Sequence, residues 1–372
     1  MNIPTLDLHA QFKTVEAEVR AAMERVLASQ HFILGPEVSA CEEEIARYSQ
    51  AKYAVGVSSG TDAILVALMA LGVGPGDEVI TTPYTFVATV TCIARLGARA
   101  VFVDIDPRTY ALDATKLRAA ITERTKAIVP VHLFGQMADM NAILEIAGSI
   151  PVLEDGAQAI GAVRDERPMG RGSIGATLSF FPSKNLGCLG DGGMVITDDE
   201  AFAHTMRLLR NQGQQPKYTS QRIGGNLRLD ALQAAVVRAK LPFLDGWITA
   251  RSQHAEHYRR AFAAAAIPSA QLTLPYQAPN TRHVYNQFVV QTSRRDALMQ
   301  RLTDEEIGSA VYYPVPMHLQ PCFASWGHRE GDFPVAERAA KETLALPLYP
   351  ELAAAAIDHV VATVTDFFRE VA

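Results

Sequence analysis

Cysteine is scarce in this chain: there are four, at Cys41, Cys92, Cys188 and Cys322, with no C-x-x-C pair. That spacing excludes a disulfide scaffold or a cysteine-rich zinc site and predicts the reduced thiols of a cytoplasmic protein. Basic blocks are lacking as well. The formal net charge is −6, so neither a nucleic acid nor an anionic membrane is an expected partner. No apolar run reaches the roughly 20 residues of a membrane span, and the stretch AILVALMALGVG is soon broken by glycine. MNIPTLDLHAQFK carries no basic segment followed by an apolar one, and no signal peptide is expected. Internal repeats and low-complexity segments are absent. GVGPGD contains Pro75 and leads into a strand instead of opening a helix, which excludes a dinucleotide fingerprint. His254 and His257 share a helix face but have no third ligand in the pattern, so no metal site is expected.

What is present is a normal globular composition, 48% hydrophobic and 20% charged over 372 residues, enough for a sizeable core in one elaborated domain or two. Residues 10–29 read as one amphipathic helix, with Phe12, Val15, Val19, Met23 and Val26 three or four apart. Apolar strands and helical stretches then alternate to about residue 210, through AKYAVGVS, DEVITT, RAVFVDID, KAIVPVHLFG and IPVLEDGA. That alternation predicts an α/β fold, a mostly parallel sheet with helices on both faces. Beyond it lies a long helical region interrupted at Pro242 and Gly246. From about residue 271 the chain is richer in proline and has short strands such as YNQFVVQ. The expected division is a large α/β domain over 1–245 and a smaller C-terminal α+β domain over 246–372.

In an open α/β protein, ligands bind beyond the carboxyl ends of the strands. VSSGTDA closes a strand and opens a helix near Thr61, where backbone N–H groups can hold a phosphate. The strand over 151–153 is followed by Glu154 and Asp155, and a partly buried carboxylate there favours a protonated partner such as a pyridinium nitrogen. Gln158 lies three residues on. In SFFPSKNLGCLGDGG, Ser179 and Ser183 supply hydroxyls, the glycines allow close backbone approach, and Lys184 is a lone amine. A desolvated lysine near a cationic cofactor loses its proton more easily and can form a Schiff base. Cys188 has no local base and reads as a small buried thiol.

Taken with VFVDIDPRTY, VPVHLFGQMADM, EDGAQAIGA, GGNLRLDALQAAV and YYPVPMHLQPCF, these motifs resemble the DegT/DnrJ/EryC1/StrS family of sugar-nucleotide aminotransferases, in order and from about residue 4 to the C-terminus. The resemblance implies a fold-type-I transferase dependent on pyridoxal 5′-phosphate, with pyridoxamine 5′-phosphate as the intermediate form. It implies that Lys184 forms the Schiff base and shuttles the proton, and that Asp155 pairs with the pyridinium nitrogen. Gln158 would touch the ring oxygen, and Phe86 would stack on the ring. Gly60, Thr61, the Asp62 backbone and Ser179 would hold the phosphate, with Asn226 reaching it from a neighbouring subunit of a homodimer. Arg228 would meet a substrate carboxylate, and Tyr313 and His318 would line a sugar pocket. Gly156 stands where the family usually has alanine. The lysine separates the chain from related dehydrases, which carry histidine there. Phe181 and Asp191 resemble the branch that aminates C-3 of a nucleotide-linked keto-sugar, UDP- or dTDP-linked, with glutamate as donor and 2-oxoglutarate as co-product. Amination at C-4 or of a cyclitol ketone is the alternative within catalysis. A non-catalytic binding or regulatory protein on the same fold is the alternative outside it.

Overall fold

A computed structural model of the chain describes residues 2–370. It opens with helices α1 (Leu8–Lys13), α2 (Glu16–Ser29) and α3 (Pro36–Tyr48). The single helix expected over 10–29 is therefore broken. Thr14 Oγ1 donates to the Gln11 carbonyl at 2.8 Å, a side-chain bond that competes with the helical ladder, and Val15 leaves helical geometry at φ −135°, ψ 11°. The bend leaves Val15, Val19, Ala22 and Val26 in one buried row.

Next, β1 (Tyr53–Val57), α4 (Gly60–Ala70), β2 (Glu78–Thr81), α5 (Val87–Arg95), β3 (Arg99–Phe102), α6 (Ala114–Ala120), β4 (Thr125–Ile128), α7 (Met140–Ala147) and β5 (Leu153–Asp155) alternate. A small hairpin, β6 (Val163–Arg164) with β7 (Arg167–Pro168), leads to β8 (Gly175–Ser179) and β9 (Gly193–Thr197). The four-stranded order β1-β9-β8-β5 joins the three-stranded order β4-β2-β3 through parallel bridges from Ile128 to Val152 and from Val131 to Asp155. Only β9 runs against its neighbours; the remaining pairings are parallel. The mostly parallel sheet is as expected.

Side chains alternate across the strands, so each strand feeds a core on either side. Ile80, Ile128, Met194 and Ile196 face one core, and Val79, Ala127, Leu153 and Val195 the other. Helices α8 (Glu200–Leu209), α9 (Ala231–Lys240) and α10 (Leu244–Ala265) follow; α9 covers the first core and α8 the second. Pro242 starts a 3-10 turn, Leu241–Phe243, between α9 and α10. Gly246 does not interrupt: α10 runs through it for 22 residues.

The remainder comprises β10 (Thr281–Arg282), β11 (Phe288–Gln291), α11 (Arg295–Asp304), α12 (Pro334–Glu342), β12 (Thr343–Leu346) and α13 (Ala354–Glu370). Antiparallel β11 and β12 and the apolar faces of α10, α11 and α13 enclose a further core around Phe262, Phe288, Leu298, Leu346 and Val360, which Ile3 joins from the start of the chain. Among the described residues, no helix is long and apolar enough to cross a membrane.

Candidate active site

The carboxyl ends of β5 and β8 and the N-terminus of α4 border a cavity of about 430 Å³. Strand β5 runs through both acids and does not stop at 153, and its alternation sends them opposite ways. Glu154 turns from the cavity, its Oε1 accepting from Gly170 N–H at 3.0 Å and Ser173 Oγ at 2.6 Å. Its Oε2 lies 2.7 Å from His132 Nε2. Because His132 Nδ1 accepts from Ala138 N–H at 3.1 Å, Nε2 carries the proton and donates to Glu154. Asp155 lines the cavity. Its Oδ2 accepts from Thr89 Oγ1 at 2.7 Å and its Oδ1 from Ala157 N–H at 3.2 Å, so the carboxylate is fixed before any ligand arrives.

Lys184 lies in the loop that leaves β8 and returns in β9. The loop is closed by Phe180 N–H to Gly192 O and Cys188 N–H to Phe180 O, both 2.8 Å, and by the buried Lys240 ammonium donating to Gly187 O at 2.7 Å. Gly187 must be small, since a Cβ there would lie 2.4 Å from Pro182 O. Cys188 is the expected inert thiol. Burial pushes it up to about 11, and its S–H donates to Phe180 O at 2.9 Å. Burial also lowers Lys184 to about 8, with the Asp155 charge opposing the shift. At pH 7 to 7.4 about a tenth to a fifth of the amine is thus neutral, against less than about a thousandth for a free lysine.

This depression has a stability consequence. Between about 8 and 10.5 the unfolded chain binds the proton that the folded chain has released, so wild-type stability rises with pH across that window. Below it, the full cost of burying the ammonium is felt. Lys184→Met is expected to stabilise the cofactor-free protein at pH 7 by on the order of 1–3 kcal/mol and to remove that rise. Urea titrations of both proteins from pH 7 to 10.5 measure it.

At the other end of the cavity, Ser59 caps α4 by accepting from Asp62 N–H at 3.0 Å. The N–H groups of Gly60 and Thr61 fall in the first turn, which has no intrahelical acceptors. Gly60 and Thr61 line the cavity with Ser179, and a Cβ on Gly60 would sit 2.7 Å from Ser179 Cβ. Phe86, 53% exposed, walls one side, its ring 5.7 Å from that of Tyr313. Gln158 Oε1 accepts from Phe134 N–H at 2.6 Å and its Nε2 donates to Tyr313 Oη at 3.3 Å.

Several sequence-derived residues are not brought in. Asp62 does not line the cavity; its N–H is taken by Ser59, and its carboxylate accepts from Ser58 Oγ at 2.6 Å. Asn226 is exposed and bridges Asn211. Arg228 bridges Val57 and donates from Nη1 to Asn211 Oδ1 at 2.8 Å. His318, expected in a sugar pocket, is buried outside this cavity, its Nε2 3.0 Å from Glu337 Oε1 and its ring edge-on to Phe333. In HAEH, His257 Nε2 lies 2.7 Å from Asp358 Oδ1 and His254 Nε2 3.0 Å from the Pro350 carbonyl. Sequence reading missed Thr89, whose only signal is a hydroxyl inside an apolar helix, and Gln287, which lines the cavity from the C-terminal part.

This donor set fits a phosphorylated pyridine carrying an aldehyde. Glycine lets the phosphate approach a helix N-terminus, a fixed carboxylate suits a cationic ring nitrogen, an aromatic face suits the ring, and a depressed amine suits the aldehyde. Fold and cavity together define a pyridoxal phosphate-dependent transferase. The chain belongs to the DegT/DnrJ/EryC1/StrS aminotransferase family, whose model matches residues 13–365. It is 47% identical to a pleiotropic regulatory protein of Geobacillus stearothermophilus, covering 100% of both chains. It is 44% identical to dTDP-3-amino-3,4,6-trideoxy-alpha-D-glucose transaminase of Streptomyces venezuelae, over 94% of this chain and 92% of that one. UDP-2-acetamido-2-deoxy-3-oxo-D-glucuronate aminotransferase of Pseudomonas aeruginosa is 41% identical, over 98% and 100%. Among solved structures, DesV of S. venezuelae in complex with a ketimine intermediate superposes with a TM-score of 0.96 at 42% identity, covering 99% of this chain and 98% of that one.

Proposed function

We propose that the protein transfers an amino group from an amino acid, glutamate in this reading, to C-3 of a UDP- or dTDP-linked 3-keto sugar. The observation that carries it is the shared cavity of a depressed lysine and a fixed carboxylate in a chain similar to transaminases of both sugar-nucleotide classes. A purely regulatory protein, as the name of one relative suggests, has no use for either group in that state.

Bound pyridoxal phosphate supplies an aldehyde and an electron-withdrawing ring. Lys184 Nζ would hold the aldehyde end and, near its own pKa, take up and return the substrate proton. Asp155, held by Thr89, would keep a proton on the ring nitrogen. Gly60, Thr61 and Ser179 would bind phosphate, Phe86 would orient the ring, and Gln158 would reach its oxygen. Tyr313 would face the sugar, and Arg228 a substrate carboxylate after its bond to Asn211 is exchanged. Asn226 would act in the neighbouring subunit's site of a homodimer. Its surroundings support that assignment, for Tyr218 is 82% and Ile223 93% exposed. The large domain would span 1–245 and the small one 246–372.

The test mixes purified protein and pyridoxal phosphate with L-glutamate, then with 3-keto and 4-keto UDP- and dTDP-sugars. Loss of the visible cofactor band, stoichiometric 2-oxoglutarate and recovery of the band by a 3-keto sugar support the reading. Recovery by a 4-keto sugar alone moves the reaction to C-4. An unchanged band with glutamate leaves the regulatory reading.

A further inference from the structure

Tyr84, in the connection between β2 and α5, is fully buried and lies outside the reaction cavity, yet its hydroxyl is bonded to the cavity wall. Its Oη donates to the Tyr312 carbonyl at 2.5 Å and lies 2.7 Å from Thr343 Oγ1. A phenol has one proton and a carbonyl only accepts, so the Thr343 hydroxyl donates to Tyr84. Tyr312 and Tyr313 both line the cavity, in a segment over 311–316 that belongs to no helix or strand. A second tie follows it, from Met317 N–H to the Pro83 carbonyl at 2.7 Å.

The same residue braces Tyr313 from its far end. The Tyr84 ring meets Phe134 edge-on, 6.4 Å between centroids. Phe134 N–H donates to Gln158 Oε1 at 2.6 Å, and Gln158 Nε2 donates to Tyr313 Oη at 3.3 Å. These contacts close a circuit from Tyr84 through Phe134, Gln158 and Tyr313 back to the Tyr312 carbonyl. Since Gln158 donates to Tyr313 Oη, the phenol keeps its own proton for another acceptor, and burial raises it so that the proton stays on. A neutral donor suits the hydroxyl and carbonyl oxygens of a sugar, whereas the carboxylates of glutamate call for a guanidinium.

We propose that Tyr84 is a positioning residue for the keto-sugar: from outside the cavity it fixes the backbone at Tyr312, and so sets the Tyr313 hydroxyl to donate to an oxygen of that sugar. The inference rests on the aminotransferase reading. Tyr84 touches no ligand and acts through the segment that carries Tyr313. The amino-acid half of the reaction does not depend on it, because the Lys184 loop, Asp155 and the first turn of α4 are held by other bonds.

Tyr84→Phe in the full-length protein tests this. It removes one oxygen and keeps the ring contacts with Tyr110 and Phe134, and the Met317–Pro83 tie still docks the segment. The two half-reactions are followed separately on the visible cofactor band. Bleaching by L-glutamate is expected within about twofold of wild type, while the KM for the 3-keto sugar in the return step rises about 5- to 10-fold, as for one lost hydrogen bond. Tyr313→Phe should raise the same KM by a similar factor, and the double variant no further, since both act on one contact. Adding Thr343→Val to Tyr84→Phe removes the hydroxyl left without its acceptor; it should restore part of any lost urea resistance and leave KM raised. Crystals of the cofactor-free Tyr84→Phe protein should show Tyr313 displaced and its bond to Gln158 broken. An unmoved Tyr313, an unchanged KM, equal slowing of both half-reactions, additive losses, or a KM that recovers with stability overturns the proposal. A wild type that acts on no keto-sugar overturns the aminotransferase reading instead, and the cofactor-free crystals still decide whether Tyr84 sets Tyr313.

Discussion

Lys184→Ala is expected to leave a folded protein whose transamination rate falls by at least about 10²–10⁴-fold, the range for removing a positioned proton-transfer group. The cavity walls do not depend on the lysine. The loop is closed by backbone bonds between Phe180 and Gly192 and between Cys188 and Phe180, and by Lys240 on Gly187, so alanine removes an amine and little else. Pyridoxal phosphate should still bind through Gly60, Thr61, Ser179 and Asp155, but borohydride should no longer fix it to the chain. The measurement is the mass of the reduced protein beside its turnover. A variant that retains covalently trapped cofactor, or turns over within tenfold of wild type, removes Lys184 from the chemistry. Alanine can also be compared with methionine: both should be inactive, and methionine should be the more stable because it fills the volume the lysine stem occupied.

Asp155→Asn should be the second most damaging change. The amide oxygen can keep accepting from Ala157 N–H while its NH2 donates to the Thr89 hydroxyl, which can turn its own proton to Thr85 Oγ1; the volume is nearly the same, so packing survives, but the negative charge is gone. A loss of about 10²–10³-fold in kcat is expected, comparable to removing one preorganised electrostatic partner. A second effect is separable from turnover. Asp155 now holds the Lys184 proton on against burial, so the asparagine variant should release it below about 8. The pH dependence of the reaction of Lys184 with free pyridoxal phosphate would move to lower pH. If the amine titrates unchanged while catalysis is lost, Asp155 acts on the cofactor alone; if neither moves, it acts on neither.

The main sheet was legible in the sequence because its strands are short apolar runs with polar exits, and a buried parallel sheet needs that pattern. The lysine loop was legible for a similar reason: its small residues are demanded by close backbone contacts, as at Gly187 against Pro182. The α1–α2 break was not, since periodicity records which side faces inward and is silent on a threonine hydroxyl bonding back to Gln11. Gly246 misled in the opposite sense, because tertiary packing of α10 overrides a single weak helix former. His318 shows the limit of reading a site from residue type. YYPVPMHLQP places an imidazole near the right point in the chain, yet the fold spends it on Glu337, while Tyr313 five residues earlier reaches the cavity. Gln287 and Tyr84 were invisible because their neighbours come from segments far apart in sequence.

The antiparallel entry of β9 carries one more consequence. Ser179 and Gly193 are paired directly across the sheet, so the lysine loop begins and ends at one rung and is anchored at both feet. Between those feet the loop buries Phe180, Leu186 and Cys188 in the core, so only its exposed positions, such as Phe181 and Leu189, can be exchanged between related chains without disturbing the strands that bear it. Variants that swap those exposed positions alone should therefore remain folded, and whichever preference for ketone position they carry with them belongs to the loop and not to the scaffold.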